Sequence, residues 1–243
     1  MWLPFQRSVT RRRTRQALPP DVRARLAALR VRAKQRAQDD SSSTAGLLSL
    51  ARFVAMDLET TGPNMMSDRI ISIGGVAVSG RAVQHGDAFE VVVRQERESR
   101  VDNILIHQIG GQEQRAGAEP VGALLSFLEF LDGSIAVAFR AEFDSTVLVR
   151  ELDDCLGIRT HTRFLDLACV LPALFPNTPN DTLDDWTQYF GLPPIGRHHA
   201  IADAYVNAQL LLFSLEQAQR LGLVTAGDLL RLEKSQRWLG RRR

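Results

Sequence analysis

Residues 52–62, RFVAMDLETTG, join an apolar run to two carboxylates and a turn. The apolar run predicts a strand that ends at Asp57. Side chains two positions apart on a strand point to the same face, so Asp57 and Glu59 can reach one cation together. By spacing alone, most such pairs are only solvent-facing acids. The apolar strand before this pair and the Thr-Thr-Gly turn after it, where backbone can approach a ligand closely, favour a site.

The rest of the chain predicts two more strands, a long loop with one or two helical turns, and then helices that alternate with strands. The predicted strands are 69–79, 87–94, 135–139 and 163–167, and the predicted helices are 20–38, 120–131, 143–154, 167–174, 183–191, 199–221 and 225–239. Three strands followed by alternating helices and strands indicate an α/β domain with a mixed sheet.

Two further segments carry candidate site residues. Asp144 follows an apolar strand after a short turn and opens a helix, where a carboxylate is also stabilised simply as a cap. The sequence RHHAIADA places His198 five residues before Asp203, at the start of a long helix. Histidine has the right ordinary pKa to take a proton from water at neutral pH, although a lone histidine is most often structural.

Four carboxylates drawn together from distant parts of a chain repel one another at pH 7, so they must hold either protons or divalent cations. Carboxylates that hold divalent cations are the arrangement on which two-metal phosphoryl transfer depends. Oxygen-only ligands suit hard ions such as Mg²⁺ or Mn²⁺.

The order DLETTG, then FD after a buried strand, then HxxxxD opening a long helix closely resembles the DEDDh branch of the 3′–5′ exonucleases. This group contains the proofreading subunit of bacterial replicative DNA polymerase. The resemblance covers residues 51–221 and is supported by IHQI at 106–109 and by LDLACVLPALFP at 165–176. It implies an RNase H-like fold, a mixed five-stranded sheet flanked by helices.

The resemblance also implies a role for each matched position. Asp57, Glu59 and Asp203 would hold one metal, the one that activates water. Asp57 and Asp144 would hold a second metal near the leaving 3′ oxygen. His198 would be the general base.

Beside these residues, the resemblance implies that Thr60 and Thr61 lie against the terminal nucleotide. The chain departs from the family at Phe139 and Arg140, where many relatives have His-Asn. We expect Arg140 to contact a phosphate; the alternative is a surface arginine paired with Glu142 or Asp153.

The charge of the chain is strongly uneven. Residues 1–40 hold eleven basic and three acidic side chains, and residues 231–243 hold six basic side chains and one acidic side chain. Because the whole chain has a net charge of +2, the stretch between these two segments carries a net charge of −11. Basic tails attract a polyanion, or they only aid solubility. We expect a basic N-terminal extension at 1–45, with residues 1–19 disordered, one amphipathic helix and a linker, followed by an exonuclease domain with a basic C-terminal tail at 46–243.

The helix at 20–38 carries Val22, Leu26, Leu29 and Ala33 on one face, and would dock on the body, on a partner or along nucleic acid. The Arg-rich start has no apolar h-region and is not expected to be a secretory signal, while a transit-like role stays open. Cys155 and Cys169 have no CxxC partner, which predicts buried free thiols in a reducing, cytoplasmic setting, with a disulfide as the alternative.

Together these features predict a metal-dependent 3′–5′ exonuclease that releases nucleoside monophosphates, preferably from single-stranded DNA. Three alternatives remain open: an exoribonuclease, since the catalytic residues do not read the sugar; a module associated with a DNA polymerase subunit; and an RNase H-like nuclease that cuts internally.

Overall fold

A computed structural model describes residues 18–39, 46–158, 162–178, 181–193 and 196–240. Its five-stranded sheet has the order β3-β2-β1-β4-β5. The strands are β1 Phe53–Thr60, β2 Ile70–Ser79, β3 Ala82–Val92, β4 Ile135–Ala138 and β5 Phe164–Asp166. The first three pair antiparallel, whereas β1, β4 and β5 run parallel, so the sheet is mixed as predicted.

Helices cover both faces of this sheet. They are α1 Pro20–Asp39, α2 Val101–His107, α3 Gly111–Ala116, α4 Pro120–Leu131, α5 Glu142–Leu156, α6 Leu167–Leu174, α7 Leu183–Tyr189, α8 Ala200–Arg220 and α9 Ala226–Gly240. Every predicted helix is present, and the loop expected to carry one or two helical turns forms α2 and α3. A capping box at Thr182 and Asp185 starts α7, in agreement with the predicted cap.

The central strand β1 divides the core into two layers, because alternate side chains of a strand point to opposite faces. Phe53 and Ala55 pack in the layer built with α6, α8 and α9. Val54 and Met56 pack in the layer built with α1, α4 and α5. Asp57 lies two and four positions after Ala55 and Phe53, so its side chain points to the same face of the sheet, the one that α8 covers.

Backbone contact between β2 and the start of α8 sets how close that helix lies to the sheet. A Cβ atom at Gly74 would lie 2.2 Å from the carbonyl carbon and oxygen of Ala200. No side chain fits there without moving backbone. Gly74 is also the partner of Asp57 in the β1–β2 ladder, so this glycine lets the first turn of α8 approach the carboxylates of β1.

The basic helix α1 packs on α4. Val22 and Leu26 are each 6% exposed and belong to the second core layer, and Arg25 forms a bidentate ion pair with Glu129. Of the three roles considered for this helix, the structure shows docking on the body. The apolar face is shorter than predicted, since Ala33 is exposed.

Other differences from the sequence-based expectations are small. Strand β1 extends to Thr60 rather than ending at Asp57, and β3 begins at Ala82 rather than at 87. Cys155 and Cys169 are free, as predicted, but half-buried rather than buried. The segment 1–17, expected to be disordered, and most of the expected linker lie outside the described residues. Among those residues, no helix combines the length and apolar composition that crossing a bilayer requires.

Candidate active site

The end of β1 supplies two of the carboxylates. Asp57 is half-buried and Glu59 is 9% exposed. Opposite them on β2 stand Gly74 and Ser72, which are small enough to leave room above this end of the sheet. Because β1 continues through Glu59, the two carboxylates sit on a regular strand and share one face, as the spacing predicted.

Asp144 reaches the same place from the other side of β1. Strands β1 and β4 are parallel, so their carboxyl ends meet at one edge of the sheet, and α5 starts there. A sharp turn at Arg140, with φ of 59°, connects β4 to α5, and its N–H donates to Asp166 Oδ1 at 2.9 Å. Asp144 is buried in the first turn of α5, and the backbone N–H groups of Leu58 and of Asp144 itself lower the pKa of its carboxylate.

The first turn of α8 supplies the third group. Asp203 Oδ2 accepts the His198 N–H at 2.9 Å, which ties the loop before the helix to its first turn. His198 takes a φ of 61°, and its imidazole is exposed. Asp203 Oδ1 is buried and makes no hydrogen bond within the described part of the chain. Ligand atoms of Glu59, His198 and Asp203 all lie within 4.8 Å of one another.

Burial and mutual repulsion raise the pKa values of these acids. Burial raises the pKa of Asp57 well above its usual range, and the charges of Asp144, Glu59 and Asp203 raise it further. Burial, followed by repulsion from Asp203 and Asp144, raises the pKa of Glu59 to about 7. Burial also raises the pKa of Asp144 to about 7, against the backbone hydrogen bonds that it accepts. The group therefore takes up protons unless a cation compensates its charge.

Asp57, Glu59, His198 and Asp203 open onto a cleft of about 330 Å³. Its walls are formed by Asp57, Leu58, Glu59, Phe139, Arg140, Thr182, Leu183, Asp184, Arg197, His198 and Asp203. Of the predicted site residues, Asp144, Thr60 and Thr61 are not part of this wall, and Asp144 is buried. Arg140 lies in the cleft wall, with its guanidinium 3.4 Å from the Asp181 carbonyl oxygen.

The two threonines shape the turn that follows β1. Thr60 Oγ1 donates to the Gly62 carbonyl at 2.7 Å, and Thr61 Oγ1 donates to Asp68 at 3.1 Å and accepts the Arg69 N–H. Both hydroxyls are therefore engaged within the turn.

Sequence reasoning missed three residues that the structure places at or beside the cleft. Arg197 lies in its wall, Asp166 holds the turn at Arg140, and Asn103 donates to the Thr60 carbonyl at 2.6 Å. Arg197 could have been identified as a candidate from the sequence, because it directly precedes His198. Asp166 and Asn103 act through contacts distant in sequence, which no local spacing marks.

Residues 54–211 match the sequence profile of the RNase_T family, described as exonuclease. The chain belongs to this exonuclease family. The match spans every carboxylate of the cleft, so the predicted family is confirmed.

Exonucleases of this family depend on divalent metal ions, and E. coli Exonuclease I with single-stranded DNA is known in a zinc-bound form. A PolC-type DNA polymerase III from Caldanaerobacter subterraneus subsp. tengcongensis is 27% identical over 179 residues, which cover 73% of this chain and 12% of that protein. The exonuclease chain therefore spans a small part of that polymerase. The DNA polymerase III subunit epsilon of Buchnera aphidicola subsp. Acyrthosiphon pisum is 29% identical over 171 residues, covering 66% of this chain and 71% of that one.

A solved structure shows the same fold. E. coli Exonuclease I in complex with a dT13 oligonucleotide has a TM-score of 0.61 and 18% identity, over 70% of this chain and 42% of that chain. The predicted mixed five-stranded sheet with flanking helices is thus confirmed both by the strand order and by this neighbour.

The donor set suits a divalent cation of the hard class. Its carboxylates offer oxygen ligands, Asp203 Oδ1 is buried without a hydrogen bond, and the pKa values of Asp57 and Glu59 report a charge that needs compensation. His198 is close enough to Glu59 and Asp203 to join such a site as a ligand, but a ring nitrogen that binds the metal cannot also serve as the predicted base.

Proposed function

We propose that this protein is a metal-dependent 3′–5′ exonuclease that removes nucleoside monophosphates from single-stranded DNA. One observation carries the proposal: carboxylates from β1 and α8 line one cleft, the charge of Asp144 from α5 acts on Asp57, and the Oδ1 atom of Asp203 is left there without a hydrogen bond. Fixed oxygen ligands whose charge needs a cation are what metal-dependent phosphodiester hydrolysis requires of a protein.

In this proposal two divalent cations, Mg²⁺ or Mn²⁺, are held by the four carboxylates. Asp57, Glu59 and Asp203 hold one, and Asp57 and Asp144 hold the other. Bound there, the cations would stabilise negative charge on the attacked phosphate and on the leaving 3′ oxygen.

His198 acts as general base on the attacking water. Its exposed imidazole lies at the cleft, and its backbone N–H is held by a hydrogen bond to Asp203. The backbone of His198 is therefore fixed while its side chain can reach a water molecule in the cleft. Arg140 contacts a phosphate of the substrate from the cleft wall, and Thr60 and Thr61 lie against the terminal nucleotide. The order of the three motifs, as in the DEDDh exonucleases, supports the 3′–5′ direction.

The relatives favour DNA over RNA. Two of them are named as DNA polymerase III proteins, and the structural neighbour was solved with a DNA oligonucleotide. The carboxylates do not read the sugar, so a preference must come from contacts near the 2′ position.

The experiment digests 5′-labelled single-stranded DNA and RNA of one sequence side by side, with Mg²⁺ and with Mn²⁺. A ladder that shortens from the 3′ end, fastest on DNA, is expected. Circular single-stranded DNA, which has no end, should stay intact. Immediate release of the labelled nucleotide, or cutting of the circle, would refute the proposal.

Loss of Asp57 tests whether the activity belongs to this site. Asp57→Asn should lower the rate about a thousandfold or more, because a catalytic metal supplies several kcal/mol of charge stabilisation. Glu96→Gln changes an exposed acid elsewhere and should leave the rate unchanged.

The polymerase relatives also favour a second function, a proofreading module bound to a polymerase subunit. Copurification with such a subunit at equal stoichiometry would support it. Deleting residues 1–17 tests the basic tail without removing the contacts of Val22 and Leu26 in α1. Unchanged activity and unchanged binding after that deletion would exclude a role for this tail.

A further inference from the structure

Arg197 is a cation that stands inside the acidic cleft. Its Nη1 atom lies 3.4 Å from Asp203 Oδ1, and its Nε atom lies 3.5 Å from Asp184 Oδ1. The side chain is 36% exposed, and Asp203 is almost fully buried. Arg197 thus pairs with the carboxylate that begins α8, one residue before the predicted base His198.

The pairing with Asp203 is incomplete. Within the described residues, Arg197 Nη1 and Asp203 Oδ1 are both buried and neither makes a hydrogen bond, although they are within ion-pair distance. A buried donor and a buried acceptor that face each other without a proper bond leave most of their bonding capacity unused. Both atoms are therefore free to take better partners in the cleft.

The charge of Arg197 also acts on two of the carboxylates beside Asp203. It lowers the pKa values of Asp57 and Glu59, against the burial and repulsion that raise them. A divalent cation on the same carboxylates would do this far more strongly, and it would repel a guanidinium only a few ångströms away.

We propose that Arg197 competes with the divalent cation for Asp203 and, once released, binds a phosphate of the entering nucleic-acid strand. This inference rests on the metal site of the proposed function and adds a substrate-binding residue to it. A guanidinium suits the second role because its planar fork matches the oxygens of a phosphate. Arg197 lies in the same cleft wall as Asp57 and His198, so a phosphate bound at them lies in the same cleft as its side chain.

The first half of the test is calorimetric titration with Mn²⁺ alone, without nucleic acid. Arg197→Gln removes the competing charge and should bind Mn²⁺ on the order of tenfold more tightly than the wild type. Arg197→Lys keeps the charge and should bind close to the wild-type value. The matched control is Arg220→Gln, an exposed arginine paired with Glu216 at the far end of α8.

The second half measures KM for single-stranded DNA at saturating Mn²⁺ and several salt concentrations. Arg197→Gln should raise KM roughly tenfold and reduce the slope of log KM against log salt by about one, as expected for one lost phosphate contact. The KM of Arg197→Lys should lie between those of the wild type and Arg197→Gln, because a lysine keeps the charge but lacks the planar fork of the guanidinium. Thermal melts check that each variant is folded.

The outcomes separate this inference from the proposed function. Wild-type protein that binds no Mn²⁺ would refute the metal site, and the inference with it. Wild-type binding that Arg197→Gln leaves equal or weakens would refute the competition alone. Tighter Mn²⁺ binding with unchanged KM and salt slope would refute the phosphate contact. A purely structural arginine would not tighten metal binding when it is removed.

Discussion

Glu59 lets the electrostatic cost of the cleft be measured directly. Burial and the charges of Asp203 and Asp144 raise its pKa from 4.5 to about 7. The folded protein therefore holds this proton more tightly than the unfolded chain does. Ionisation of Glu59 lowers the free energy of unfolding as the pH rises from about 4.5 through about 7, and the cost is complete above that range. Glu59→Gln removes the ionisation and keeps the shape of the side chain.

The magnitude follows from the two pKa values. A change from 4.5 to about 7 corresponds to about 3 kcal/mol at pH 8 and to less than about 1 kcal/mol at pH 5. Because Glu59 and Asp144 share their repulsion, the costs of the two groups are not summed. We therefore expect Glu59→Gln, in EDTA, to be about 3 kcal/mol more stable than the wild type at pH 8 and nearly equal to it at pH 5.

The assay is urea unfolding in EDTA at both pH values, followed by the fluorescence of the three tryptophans. Glu96→Gln, which changes an exposed acid, is the control and should show no difference between the two pH values. Added Mn²⁺ should stabilise the wild type more than Glu59→Gln, since it binds the folded state through this carboxylate. A variant that is no more stable than the wild type at pH 8, or equally stabilised at both pH values, would refute this account of the cleft.

Three further predictions concern other parts of the molecule. His198→Gln should lower kcat by about 10²–10⁴ with little change in KM, as expected for a lost general base, and a much smaller loss in steady-state kinetics would remove it from that role. Asp166→Ala leaves the N–H groups of Arg140 and Ala168 without their acceptor and should cost about 1–3 kcal/mol by urea unfolding, whereas Asp166→Asn, which keeps Oδ1, should cost less. Leu26→Ala should cost about 2–5 kcal/mol in the same assay if α1 belongs to the core, and an unchanged midpoint would show that the helix is dispensable to the fold.

Most of the fold could be predicted because the periodicity of each segment is strong. The apolar runs of β1, β2 and β4 and the apolar faces of α4 and α8 are local patterns, and each reports its own element. The boundaries that were wrong lie where tertiary pairing extends a strand. Pairing with β2 carries β1 on to Thr60, and the early part of β3 is held by β2 across an irregular register.

Residue type and spacing along a strand predicted that Asp57 and Glu59 face together, whereas the joining of Asp144, His198 and Asp203 to them was implied by the resemblance. The motif order then indicated the exonuclease family, which the profile match confirms. The individual roles of these residues stay predictions. Arg197 was missed because its meaning depends on Asp203, to which it turns only once the loop before α8 is folded.

What the sequence by itself determined, then, is the set of elements and the kinds of group at their ends, since both follow from local periodicity and side-chain chemistry. Only the tertiary structure decided how close those groups come. Gly74 lets α8 approach β2, the parallel pairing of β1 with β4 brings Asp144 to Asp57, and a single guanidinium ends up against Asp203. Distance and burial set the strength of every charge interaction in the cleft, and neither quantity can be obtained from a local stretch of sequence.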